Sequence, residues 1–567
     1  MNRVRYNFFI FIVIFLFIVA IIKAFDISIV KHNQYSKKYF SNIVKVVYSK
    51  GKRGSIYGRK NSLFALDYCV YDFFVDPKYY IDNMLYYRNK EDTIYIKRTE
   101  KFMNKVSELL NIKPSDIKSI IEKNKNKRFV ILKKGVKADI FKEMSELFMP
   151  RSFGFVKRFE RYYPDGEYSS HNIGFCFANG KGAEGIERYY DNYLKPEVRK
   201  ENIPLDLYKY RFSNKPDDGY DIYLTLNRDI QDFVHMRLKK TIEKHEADGG
   251  IVIVMNPKDG SIIAMDSYPF YDNNNYKNYK YNQIRNRAVA DVFEPGSVFK
   301  LITMSAALDS GIFKGDEIVY CENGSWKIKN KVIHDVHKYK WLSFDKVFVY
   351  SSNIGSAKIA LELGRKTFYQ YLNRFGFGSK TGIDTISESK GIVKDMFGIG
   401  DVDLATMAFG QGISITAIQL AKSYSVIANG GYAVKPHFLD TVKYYGKISY
   451  VYKIHRKRIL NDSTVKKVKD ILKKVVEQGT GKRAMLKHYV VAGKTGTAQV
   501  PKKGSYETSK YVASFAGFAP FDNPKIVIVV SIFNPKKNGF YGGSVAAPLF
   551  KEIAKFSLNY LAVKKDK

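Results

Sequence analysis

Three short stretches carry residues that could do acyl-transfer chemistry. The first is Phe293-Glu-Pro-Gly-Ser-Val-Phe-Lys300, a Ser-x-x-Lys. Pro295 and Gly296 mark a helix start, and the apolar residues from Val298 continue it. At i and i+3 the Ser297 hydroxyl and the Lys300 amine share a helical face one turn apart. The positive end of the helix dipole favours a developing anion at Ser297. A serine is a weak nucleophile until a base takes its proton. A lysine can be that base only if burial or a second cation lowers its pKa. Alone, Ser-x-x-Lys is common chance spacing.

The second stretch is Ser351-Ser-Asn353, which follows His334-Asp-Val-His337 and precedes an apolar helix. As isolated residues these would cap that helix. The third is Gly493-Lys-Thr-Gly-Thr-Ala-Gln499, on a predicted strand. Gly496 lacks a side chain, so a substrate backbone can approach the strand edge. Lys494 supplies a cation, and Thr495 and Thr497 supply hydroxyl donors. Alone, this stretch reads as an ordinary glycine-containing edge strand. It lacks the GxxxxGK[ST] spacing of a phosphate loop.

Positioning these residues requires a sheet and helices. Residues 250–255 and 261–265 are apolar runs joined by Asn256-Pro-Lys-Asp-Gly260, a hairpin signal. Three more strand-like runs cover 490–500, 511–518 and 525–533. The middle is helix-rich. The predicted fold class is α+β: one five-stranded, mostly antiparallel sheet flanked by helices, with both ends of the 220–560 domain contributing strands. Residues 26–215 read as a mixed α/β stem. In it, Phe102, Val106, Leu109 and Leu110 share a helical face over 101–110, and 128–132 reads as a short strand. The turn-rich stretch 213–219 places a linker at 216–219.

Before the stem, Phe8 to Ile22 is an unbroken apolar run. A helix of about 20 residues spans roughly 30 Å, enough for a bilayer. The expected layout is a cytoplasmic tail over 1–6, an anchor over 7–25, and everything later outside the cytoplasmic membrane. Arg3 and Arg5 before the run place the N-terminus inside. A cleaved signal fits poorly, because Ile22 would sit at −3 to Ala24. Residues 561–567 form a basic tail.

The whole chain has 567 residues, room for about two to four domains. Its formal net charge is +38. Such a balance suggests nucleic acid or an anionic membrane. The charge is scattered, however, and no nucleic-acid motif accompanies it. Residues with A/T-rich codons dominate the composition, so a biased genome accounts for the charge without a nucleic-acid partner. Cys69, Cys176 and Cys321 stand far apart with no metal-ligand spacing, so neither a metal, a disulfide framework nor a cofactor is expected.

Ser-x-x-Lys, Ser-x-Asn and Lys-Thr-Gly occur in one domain in that order, which makes three separate coincidences improbable together. They form the signature of penicillin-binding proteins and class A β-lactamases. The chain resembles a class B penicillin-binding protein of the division type, the FtsI-like or PBP3-like group. Arg53-Gly-Ser-Ile-Tyr-Gly-Arg59 is similar to the family's RGxIxDR, with Gly58 in place of the usual Asp. Arg161-Tyr-Tyr-Pro-Asp-Gly166, His171-Asn-Ile-Gly174 and Gly185-Ile-Glu-Arg188 resemble further stem motifs. Asn286-Arg-Ala-Val, Phe409-Gly-Gln-Gly-Ile-Ser-Ile-Thr416 and Tyr541-Gly-Gly resemble those of the catalytic domain. Elongation-type relatives usually carry SxD in place of SxN.

The resemblance implies a peptidoglycan D,D-transpeptidase of septal wall synthesis that β-lactams acylate. Ser297 would attack the D-Ala–D-Ala carbonyl of a stem peptide, and an amine of a neighbouring peptide would resolve the acyl-enzyme. Lys300 would be the general base. Ser351 and Lys494 would relay the proton, and Asn353 would hold the substrate amide and orient Lys300. Backbone N–H groups of Ser297 and Thr497 would form the oxyanion hole. Thr495 and Thr497 hydroxyls would bind the substrate carboxylate beside Gly496. Implied partners are the cytoplasmic membrane, a glycosyltransferase and division-complex membrane proteins. The competing readings are an elongation-type enzyme, a non-catalytic division scaffold, a β-lactamase and a β-lactam sensor. Anchor and stem argue against a β-lactamase, and the short N-terminal tail leaves no room for a signalling domain. Intact motifs argue against a scaffold.

Overall fold

The N-terminal apolar run forms helix α1, Arg3–Phe25, in the computed structural model, which describes residues 3–35, 44–204, 217–502 and 505–566. At 1.5 Å per residue it is roughly 35 Å long. Its Phe, Ile, Val and Leu side chains stay exposed, a surface suited to lipid. Residues Met1–Lys52 and Pro196–Gly219 make up one structural unit. Besides α1 it holds an antiparallel pair, Val44–Lys50 with Val198–Pro204. Most of the predicted turn stretch at 213–219 lies outside the described residues.

Residues Arg53–Lys195 and Tyr220–Lys567 form the second unit. Its central sheet has five strands: β1 (Gly249–Met255), β2 (Ile262–Tyr268), β3 (Ala492–Lys502), β4 (Ser505–Ala519) and β5 (Ile526–Phe533). The order is β3-β4-β5-β1-β2 and every pairing is antiparallel. β1 and β5 are buried on both faces, which is why they read as unbroken apolar runs and not as alternating ones. Val252, Val254, Ile528 and Val530 meet the helices Arg228–His245 and Gly542–Tyr560 on one face. Ile251, Ile253, Val527 and Val529 meet the other core, which includes Leu420 and Tyr424 of the helix Ala417–Ala428. β3 is an edge strand, so one of its edges is left for other business.

The stem helix runs Thr93–Leu110, starting eight residues before the predicted 101. Asp92 accepts from Tyr95 N–H at 3.1 Å and caps it, a start signal that the apolar periodicity does not register. Phe102, Val106 and Leu110 bury as predicted and Met103 joins them, while Leu109 is only half-buried. Asn111, at φ 51°, ends the helix. The predicted strand at 128–132 is Val130–Val136 instead. It belongs to a second sheet, in the order Lys447–Val451, Leu439–Tyr444, Asp221–Leu224, Ile56–Tyr57, Leu63–Val75, Val130–Val136, with Phe153–Tyr162 also paired to Leu63–Val75. Strands from both sides of 216–219 therefore share one sheet. Ile56, Ile222, Leu224 and Val442 also share one core.

Three stem motifs converge in a buried ion network. Glu187 takes Arg53 Nε and Arg161 Nε at 2.6 Å each, and Arg161 also reaches Asp67 at 3.2 Å. Glu187 is fully buried. Burial pushes its carboxyl up, but the guanidinium groups of Arg161 and Arg53 outweigh burial and hold it at about 2. A side chain at Gly58 would place Cβ 2.3 Å from the Phe64 ring and 2.7 Å from Leu226 O, so no Asp fits there without rearrangement.

Candidate active site

Ser297 lies in a 3-10 turn, Gly296–Phe299, that runs directly into the helix Lys300–Asp309. Gly296 has φ +58°, a conformation that only glycine adopts cheaply. Its N–H donates to Gly410 O at 3.1 Å, and Gly412 N–H donates to Glu294 Oε1 at 2.9 Å. The Phe409–Thr416 loop thus cradles the turn. Tyr424, fully buried, donates its hydroxyl to Val298 O at 3.0 Å and fixes the turn from behind.

Lys300 is buried, and its ammonium donates to Ser351 O at 2.7 Å, Asn353 Oδ1 at 2.8 Å and Ser351 Oγ at 3.2 Å. Ser297 Oγ is not among its partners in this resting arrangement. Catalytic hydrogen bonds commonly tighten only once substrate is bound. Lys494, from β3, is equally buried and donates to Ser351 Oγ at 2.9 Å. Burial, and after it the Lys494 charge, hold Lys300 well below the ordinary lysine value, with Asp335 opposing. Burial alone brings Lys494 down to about 7.

The Ser-x-Asn stretch is set by a helix start, as expected, with the middle serine as the cap. Ser352 is the cap of the helix Asn353–Phe375, accepting from Gly355 N–H at 2.9 Å. This frees Ser351 and Asn353 to face the two lysines. Ser351 sits at φ +63°, unusual for a residue with a side chain. That backbone aims both its carbonyl and its hydroxyl at Lys300. Asp335 holds the start together: it accepts Ser352 Oγ–H at 2.6 Å and Ile354 N–H at 3.0 Å. Asn353 Nδ2 donates to His334 O at 2.9 Å, so its carbonyl must point at Lys300.

β3 brings its own residues to the turn. A Cβ on Gly496 would lie 2.8 Å from Pro295 O and 3.0 Å from Val298 Cγ1. The glycine is therefore needed by the serine turn, a reason the sequence did not suggest. Thr495 shares a 2.6 Å hydrogen bond with Thr480. Thr497 Oγ1 accepts from Gly542 N–H at 3.0 Å, which leaves its O–H free to donate.

The profile of the penicillin-binding protein transpeptidase domain matches residues 250–555, and that of the penicillin-binding protein dimerisation domain matches residues 48–224. The chain is 31% identical to the peptidoglycan D,D-transpeptidase FtsI of Buchnera aphidicola subsp. Schizaphis graminum, over 98% of this chain and 94% of that protein. The chain is a class B penicillin-binding protein, FtsI-like and PBP3-like.

A probable peptidoglycan D,D-transpeptidase, PenA of Neisseria meningitidis, is 30% identical to this class B penicillin-binding protein over 99% of its length and 94% of the relative's. Its fold matches penicillin-binding protein 3 of Mycobacterium tuberculosis, solved with aztreonam, at a TM-score of 0.70 and 24% identity, covering 92% of this chain and 98% of that one. Within the penicillin-binding fold the structure brings Lys300, Ser351, Asn353 and Lys494 into one hydrogen-bonded cluster. Thr495, Gly496 and Thr497 lie along the strand that the Ser297 turn packs against. Sequence reasoning missed Asp335, Glu294 and Thr480, which act through backbone and hydroxyl partners distant in sequence. Only the Asp in His334-Asp-Val-His337, 17 residues before the Ser352 cap, gave a usable signal.

Proposed function

We propose that the chain is a peptidoglycan D,D-transpeptidase of septal wall synthesis that works through an acyl-enzyme on Ser297 and is acylated by β-lactams. The observation that carries this reading is the pair of buried ammonium groups on one hydroxyl, Ser351 Oγ, within the cluster that also holds Asn353. Ser297 Oγ attacks the carbonyl carbon of the penultimate D-Ala, and its proton passes to neutral Lys300. Ser297 N–H and Thr497 N–H stabilise the oxyanion, each worth on the order of 3 kcal/mol. When the C–N bond breaks, Ser351 gives its proton to the leaving D-Ala nitrogen and recovers one from Lys494. Thr495 and Thr497 hydroxyls hold the terminal carboxylate. The amine of a second stem peptide then attacks the ester and loses its proton through Ser351 to Lys494, Lys300 returns the proton it took to the departing Ser297 Oγ, and an amide cross-link remains.

Ser351-Ser-Asn353 and the FtsI-named relatives favour the septal over the elongation role. Helix α1 anchors the chain in the cytoplasmic membrane with Arg3 and Arg5 inside, so residues 220–560 work outside. The stem, 26–215, carries no glycan-polymerising motif, so a membrane glycosyltransferase and other division proteins are the expected partners. The deciding experiment is labelling of membranes with a fluorescent penicillin, for the wild type and for Ser297→Ala. A labelled wild type with an unlabelled variant supports the reading, and undiminished labelling of the variant sinks it.

A further inference from the structure

A second concavity, lined by none of the residues above, occupies about 1320 Å³ between the C-terminal ends of the helices Lys300–Asp309 and Asn353–Phe375 and the strand pair Tyr432–Val434 with Arg456–Arg458. Arg374, Lys422, Lys435, Arg456, Lys457 and Arg458 line it, against one carboxylate, Asp309. Three of these cations are engaged: Arg374 with Asp309 at 3.3 Å, Arg458 with Asp462, and Arg456 over the Tyr432 ring at 5.3 Å. The head groups of Lys422, Lys435, Arg456 and Lys457 make no hydrogen bond or ion pair with a described residue. Lys422 is only half-exposed; Glu388 supports its charge but makes no ion pair with it.

The strand Arg456–Arg458 is exposed throughout and pairs on one side only. Lys435 N–H donates to His455 O, and Ile459 N–H donates to Gly431 O. In an antiparallel ladder this makes Ala433 and Lys457 the hydrogen-bonded pair between them. The main-chain N–H and C=O groups of Arg456 and Arg458 therefore point to the open edge. Edge strands are often charged merely to deter pairing. That accounts for Arg456–Arg458 but not for Lys422, Lys435 and Arg374, which converge on the same cleft from other elements.

We propose that this cleft docks an acidic, extended segment of a partner protein, added as a third strand along Arg456–Arg458. Main-chain hydrogen bonds to Arg456 and Arg458 would supply register, and alternate acidic side chains would meet the unpaired cations. Apolar side chains between them would rest on Ile312 and Ile454, which line the cleft and stand 44% and 55% exposed. A phosphate polymer would use the cations but neither the strand edge nor the isoleucines, so a peptide fits more of what is present.

The test is fluorescence anisotropy of a labelled, alternating Glu-Val heptapeptide titrated with the full chain in detergent. Saturable binding is expected. It should weaken at least tenfold in Arg456→Glu/Lys457→Glu, and several-fold in Lys422→Met, a milder change if the double variant unfolds. N-methylation of alternate peptide residues, which keeps the carboxylates but removes main-chain donors, should also weaken binding at least tenfold. Charge reversal at the exposed stem lysines Lys118, Lys123 and Lys125 should leave binding unchanged. An equal loss on reversing those stem charges, or undiminished binding of the N-methylated peptide, would overturn the proposal. So would inorganic polyphosphate of equal charge binding as tightly and losing affinity in the same cleft variants.

Discussion

Lys300 and Lys494 donate to the same oxygen: Ser351 Oγ lies 3.2 Å from the first ammonium nitrogen and 2.9 Å from the second. In the proposed acylation, one hydroxyl therefore joins the group that takes the proton of Ser297 to the group that supplies the proton of the leaving nitrogen. It also brings two buried cations together, and each unit of pKa depression that results is worth about 1.4 kcal/mol against the charged form. A carboxylate in place of either lysine would be an unremarkable ion pair. Burial first, and the second cation after it, disfavour the charged form of Lys300 and suit it to act as a base.

The acylation rate should therefore rise with pH as Lys300 loses its proton, and two substitutions should move that limb in opposite directions. Lys494→Ala removes a charge that lowers the Lys300 pKa, so the limb moves to higher pH. Asp335→Asn removes a charge that raises it, so the limb moves to lower pH. Burial remains the largest cause, so neither shift restores an ordinary lysine. Lys300→Arg should be nearly inactive, because a guanidinium stays protonated throughout. Stopped-flow acylation by a chromogenic β-lactam across pH reads all three. A common shift for Lys494→Ala and Asp335→Asn would mean that neither acts through charge.

Ser297→Ala should abolish penicillin labelling and leave the unfolding midpoint within a few degrees. The Ser297 hydroxyl makes no hydrogen bond with a described residue, so no structural hydrogen bond is lost. A large drop in midpoint on thermal unfolding would show that the serine holds the turn as well.

Much of this site was legible because its residues are close in sequence to strong local signals. Pro295 and Gly296 announce the serine turn, and five apolar runs bracket the domain and give the sheet. What stayed hidden depends on contacts between distant segments. The strand order β3-β4-β5-β1-β2 follows from which apolar faces meet, and no single segment encodes that. The sequence around Gly496 gives no sign that Pro295 O and Val298, some two hundred residues earlier, need the room its missing side chain leaves. Ser352 looked like one of two equivalent serines, and only Gly355 N–H and Asp335 distinguish it as the cap.

Gly496→Ala should slow acylation at least tenfold without unfolding the domain. Its Cβ would press on Pro295 O at 2.8 Å and shift the turn that aims Ser297. A misplacement of about 1 Å can cost on the order of a hundredfold in rate. The rate constant at saturating β-lactam, compared with the thermal midpoint, separates this from general destabilisation. Unchanged acylation would mean that the turn and strand tolerate a wider gap.

The stem network makes a prediction that leaves the active site untouched. Glu187 has an ordinary value of 4.5 and is held at about 2 in the fold. A carboxylate whose pKa is depressed on folding stabilises the fold above its unfolded value, and loses that contribution as pH falls through the folded value. The window is thus from about 4.5 down to about 2, where protonation leaves Arg53 and Arg161 buried beside a neutral group. Glu187→Gln should cost about 3–5 kcal/mol near neutral pH, because it strands two buried guanidinium groups. It should also flatten the loss of stability across that acid window, since Gln cannot titrate. Chemical denaturation of a fragment lacking α1, at several pH values, measures both. A variant as acid-sensitive as the wild type would assign the acid response to other carboxylates held below their ordinary value, such as Asp345 beside Lys474 at 2.8 Å, and not to Asp67, whose carboxyl burial pushes up.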